Sequence, residues 1–150
     1  MADRTVGSEF GSRYEIPGFI EYLVKEHYLD DMSWHNDISP SFGIMNDIAG
    51  TKGNPHGTSQ NEIRIWVEHP LKSRREFQGE RFTVTYALDG DQTEDYSFDE
   101  LEDALKKLLE VIIEHWPEAE KVPGIWSMLM DDSNGDPAEA LDILLRKYYR

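Results

Sequence analysis

This chain of 150 residues contains no cysteine, which excludes disulfides, thiolate nucleophiles and cysteine metal ligands. It has no run of eighteen apolar residues, so the sequence offers no membrane-spanning helix. The N-terminus lacks the apolar core of a signal peptide, and the expectation is a soluble cytoplasmic protein. Basic residues are scarce: fifteen Lys and Arg stand against thirty Asp and Glu, for a formal charge of −15. Phosphate contacts need a basic footprint, so direct binding to nucleic acid or to an anionic membrane is not expected. Two catalytic signatures are missing as well. No GxxxxGK[ST] cradles a phosphate, and no GxSxG presents a serine nucleophile.

The most informative feature present is an acidic run. Between Asp89 and Asp103 there are eight carboxylates in fifteen residues and no Lys or Arg. Residues 89–150 carry −11 of the net charge, residues 62–88 are near +1, and residues 1–61 carry −5. A run of this kind requires solvent, repels acids and attracts bases. It has two readings, a solvated surface and a recognition face. As a face it comprises Asp89, Asp91, Glu94, Asp95, Asp99, Glu100 and Asp103, and acids continue through Glu110, Glu114, Glu118 and Glu120.

Residues 1–12 (MADRTVGSEFGS) read as a vector-derived or disordered leader, and residues 13–150 as a single domain. Pro17 suits a first helical turn, and Phe19, Ile20, Leu23, Val24 and His27 recur at helical spacing, fading near Leu29. Phe42 and Ile44 suggest a short strand, and residues 49–60 (AGTKGNPHGTSQ) a loop. Ile63, Ile65 and Val67 alternate with polar or amphipathic residues, and Phe82, Val84, Tyr86 and Leu88 do likewise, predicting two strands. Asp89-Gly90 is a tight-turn signal, so a hairpin should return through Tyr96 and Phe98. A helix follows, with Asp99 as its cap and Leu101, Leu105, Leu108, Ile112 and Trp116 on one face. A short helix over 123–130 and a last one, capped by Asp136 ahead of Pro137, complete the chain. The fold class is α+β: an antiparallel sheet of three to four strands packed by an N-terminal helix and two to three C-terminal helices.

Four smaller constellations compete with plain structural roles. Asp31, His35 and Asp37 offer imidazole and carboxylate ligands suited to Zn, Mn or Fe, but side-chain bonds within a turn explain the same residues. His56-Gly57-Thr58 is a single His-x-Thr element where two-histidine phosphoesterases need two. The loop from Asp131 to Asp136 puts its glycine out of register for an EF-hand. Lys72, Arg74, Arg75 and Arg81 fit charge balance or protection of a strand edge better than a phosphate grip.

The favoured expectation is a non-enzymatic acidic binding protein, an inhibitor that docks its carboxylate face on a basic, nucleic-acid-handling protein. Toxin immunity, anti-restriction and anti-CRISPR proteins share this small, acidic, mixed character, a likeness of character without a shared motif. An apolar anchor is expected at Tyr96 or Trp116. One alternative is a small metal-dependent enzyme or metal-binding domain using Asp31, His35 and Asp37. Another is a salt-adapted domain without a charge-specific partner. No catalytic residue, cofactor or metal site is assigned.

Overall fold

The computed structural model describes residues 10, 14–34, 39–51, 54–75, 79–88, 91–115, 125, 128 and 133–150, the side chains of 46–51, 54–61, 88 and 93 excepted. Its elements confirm the α+β class. They run α1 (Gly18–Lys25), β1 (Asp30–Asp31), β2 (Ser41–Thr51), β3 (Asn54–Val67), a 3-10 turn (Lys72–Arg74), β4 (Phe82–Leu88), β5 (Asp91–Phe98), α2 (Leu101–His115) and α3 (Pro137–Tyr148). The five strands pair in chain order, each antiparallel to the next. The sheet therefore has five strands rather than three or four. The extra one, β1, is two aspartates long, too short and too polar to show any alternation.

The second difference lies in residues 49–60. Their Gly, Asn, Pro, Ser and Thr predict a loop, yet β2 and β3 stay paired from Ser41↔Trp66 out to Thr51↔Asn54, with one register irregularity between Ala49 and Thr51. Backbone groups can pair in a ladder without any apolar alternation in the side chains, which is why the pattern was silent.

Register decides which residues share a face. Phe42, Ile65, Val84 and Tyr96 stand in one row across four strands, and Ile44, Ile63, Tyr86 and Glu94 stand in the next. The apolar members of these rows form the inner face and are buried, with Tyr96 half-buried. On this face lies α2, in contact with β3, β4 and β5, while α3 packs on α2 and α1 meets α3. From α2 come Ala104, Leu105, Leu108, Leu109, Val111 and Ile112, every one buried. Apolar surface on both layers is removed from water together, at about 25 cal/mol per Å².

Helix ends differ slightly from expectation. α1 stops at Lys25, and His27, counted on its apolar face, is exposed with φ 64° just beyond the helix. α2 begins at Leu101 with the Glu100 carbonyl accepting from the Ala104 amide, so Asp99 precedes the cap position. Asp136 does cap α3, its carboxylate accepting from the Ala138 N–H at 3.1 Å with Pro137 in the first turn. Phe10, inside the predicted leader, is buried and its ring meets Tyr14 edge-on at 5.2 Å.

The outer face of the sheet is the more polar one. Ser41, Trp66, Thr83 and Ser97 form one of its rows, and Gly43, Arg64, Thr85 and Asp95 the next. The Trp66 indole N–H donates to Thr85 Oγ1 at 2.8 Å, and the Arg64 guanidinium lies 5.3 Å from the Trp66 ring while donating to Ser41 and Glu62. Gly43 permits the close approach of β2 and β3, because a Cβ there would overlap the Ile63 carbonyl oxygen.

Candidate functional site

Two neighbouring residues of the acidic run are sent to opposite sides of the sheet. The β4–β5 pairing passes from Ala87↔Gln92 to Tyr86↔Glu94, which leaves Thr93 as an extra residue in β5. Such a bulge shifts every later residue by one position and so exchanges the faces. Beyond it Glu94, Tyr96 and Phe98 face the helices, while Asp95 and Ser97 occupy the outer face. Asp91, Asp95, Asp99, Glu100 and Asp103 are exposed, and Glu94 is half-buried. Asp89 lies outside the described residues, as do Trp116, Glu118 and Glu120.

Glu94 is held at both oxygens. Tyr96 donates its hydroxyl to Oε1 at 2.6 Å, and the His115 Nε2 makes a short contact with Oε2. The His115 ring is stacked on Tyr86, with centroids 3.8 Å apart and planes 9° from parallel. The second carboxylate, Glu114 Oε1, lies 3.8 Å from the same Nε2. The cluster thus joins β4, β5 and the C-terminal turn of α2. The Tyr96 hydrogen bond holds the Glu94 carboxyl below the usual carboxylate range; burial opposes that shift and His115 adds to it. That same bond pushes the Tyr96 phenol up.

Lys107 lies beside the cluster. Its ammonium sits 4.1 Å from the Tyr96 ring centroid and 3.4 Å from Glu110 Oε2. Tyr96 therefore has its hydroxyl and one ring face engaged within the chain. Along α2, Asp103, Lys107, Glu110 and Glu114 recur at spacings of three and four, so they lie in one helix stripe, with Glu100 just ahead of the helix. Lys107, at the middle of this stripe, bends to the Tyr96 ring of the neighbouring strand.

The basic connection before β4 is largely consumed by its own backbone. Arg75 donates to the carbonyls of His69, Pro70 and Gly79 at 2.8, 3.1 and 2.7 Å, and its Nη1 lies 3.4 Å from Asp99. Arg81 donates to the carbonyls of Glu15 and Glu68. Lys72 and Arg74 are exposed. Asp31 accepts from the Ser33 amide at 3.1 Å, the turn bond anticipated for it, whereas His35 and Asp37 lie outside the described residues. The side chains of His56 and Thr58 lie outside them too.

The sequence pattern did not expose the Glu94, Tyr96, His115 and Tyr86 cluster. Its members are up to 29 positions apart, and the bulge that aligns them leaves no compositional mark. The one available signal was that Tyr96 and Phe98 need an apolar face, which carries Glu94 inward with them. Among the described residues no helix is long and apolar enough to cross a membrane. No protein-family model, curated protein or solved structure matches the chain, so its geometry alone bears on function.

Proposed function

We propose that this chain is a non-enzymatic, cytoplasmic binding protein. Its exposed carboxylates dock on a basic protein surface of the kind that handles nucleic acid. The observation that carries this reading is the exposure of Asp91, Asp95, Asp99, Glu100 and Asp103 along the last strand of the sheet and the adjoining start of α2. Of these, Asp99 has the Arg75 guanidinium beside it. The −11 charge of residues 89–150 supports the same sign of partner. Opposite charges steer encounter and make association fast and salt-sensitive. Glu94 belongs to the expected face by sequence, but its bonds to Tyr96 and His115 give it a role inside the chain.

The test is affinity capture from the native host, followed by kinetics with an Asp91→Lys, Asp95→Lys, Glu100→Lys, Asp103→Lys variant. Asp99 and Glu94 are left intact because both have partners within the fold. The variant should keep its melting temperature within a few degrees and associate at least tenfold more slowly with the captured protein. Association as fast and as tight as that of the unaltered chain would remove this reading.

A further inference from the structure

We propose that His115, Glu94 and Glu114 form a binding site for a divalent transition-metal ion, with zinc as its natural probe. Their ligand atoms, one imidazole nitrogen and two carboxylate oxygens, all lie within 4.8 Å of one another. A single ion bound at about 2.0–2.2 Å to each atom spans such a triangle with small side-chain movements. An imidazole with two carboxylates suits Zn, Mn or Fe(II), and the nitrogen disfavours Mg and Ca. Three protein ligands leave a fourth position for water.

Three further observations distinguish this cluster from an ordinary surface ion pair. The Tyr86 ring fixes the plane of the imidazole, so Nε2 is aimed at Glu94 before any ion arrives. The Tyr96 hydroxyl holds Glu94 Oε1, which orients Oε2 toward the same point. Such outer hydrogen bonds raise the precision of ligands and are worth roughly 10–100-fold in affinity at metal sites. Finally, His115 and Glu114 sit in the last turn of α2, where the helix dipole presents its negative end. Lys107 is the nearby opposing charge, its ammonium 4.1 Å from the Tyr96 ring centroid and 3.4 Å from Glu110 Oε2, where that carboxylate offsets part of its charge. The site uses none of Asp31, His35 or Asp37, and it does not depend on the acidic docking face.

Equilibrium dialysis of the full chain against micromolar zinc, read by elemental analysis, tests the assignment. Expected is one zinc per chain after exchange into 0.5 M NaCl, which removes ions held only by diffuse charge. Glu114→Gln, at an exposed position, should weaken zinc at least tenfold without lowering the melting temperature of the metal-free protein. Tyr96→Phe should weaken it by roughly 10–100-fold. Asp91→Asn with Asp95→Asn should leave it unchanged. His115→Ala, with folding checked by circular dichroism, should abolish it, and Glu94→Gln serves if that variant does not fold. No bound zinc in the unaltered chain overturns the proposal. So does zinc that survives both Glu114→Gln and loss of His115 or Glu94, or that is lost equally with Asp91 and Asp95.

Discussion

Glu94 shows how far a residue's role depends on what it touches. By sequence it is one acid among eight, and in the fold it is the one whose two oxygens meet Tyr96 and His115. The consequence is measurable in the metal-free protein. Because the folded carboxyl titrates below its ordinary value, the native state binds fewer protons than the unfolded chain as the pH falls through that ordinary value. The contribution of Glu94 is thus complete above the usual glutamate range, near pH 4.3, and is lost as the pH falls through the depressed folded value. A Glu94→Gln variant should show a shallower fall in stability over that acid window, measured by urea unfolding from pH 6 to pH 3. An unchanged slope would mean that Tyr96 and His115 do not hold the charged form.

At the scale of elements, α2 is what binds the sheet to the other helices. It contacts three strands on one side and α3 on the other, through six buried residues. Leu108 lies near its middle and is 1% exposed. A Leu108→Asp change removes a large apolar contact and buries a carboxylate, with a cost of roughly 4 kcal/mol or more. The expected outcome is a melting temperature lowered by well over 10 °C, or a chain that does not fold. A change of less than a few degrees would mean that α2 does not cover the sheet. The β5 strand behaves in the opposite manner. Its exposed acids at Asp91 and Asp95 contribute little to packing and leave the outer strand poorly suited to pairing with another copy.

The whole molecule carries −15, and its self-repulsion opposes compaction. Salt acts on fold and partner with opposite signs. The Debye length falls from about 30 Å at 0.01 M to about 10 Å at 0.1 M and about 3 Å at 1 M. Screening should therefore raise the melting temperature of the isolated protein between 0.01 and 0.5 M NaCl. The same increase should slow its association with a basic partner. A thermal midpoint that falls with salt would show that attractive ion pairs, such as Arg146 with Asp142 at 2.9 Å, outweigh the general repulsion.

Periodicity and capping chemistry alone determined the strongest elements. The alternation of Ile63, Ile65 and Val67 and of Phe82, Val84 and Tyr86 requires two one-sided strands. The Leu105, Leu108 and Ile112 spacing requires a helix to cover them, and Asp136-Pro137 starts the last helix. These patterns are local, because one residue's environment repeats every two or every 3.6 positions. Tertiary structure alone decided the pairing of β2 and β3 beyond Met45, the addition of β1 and the bulge in β5. Backbone ladders are satisfied by a partner strand whatever the side chains, so composition does not report them. The bulge moved Glu94 from the solvated run to the helix side, and only the packing of α2 on β5 then brought His115 to it. That contact joins residues 21 positions apart through the closure of a sheet against a helix, which no short-range pattern encodes.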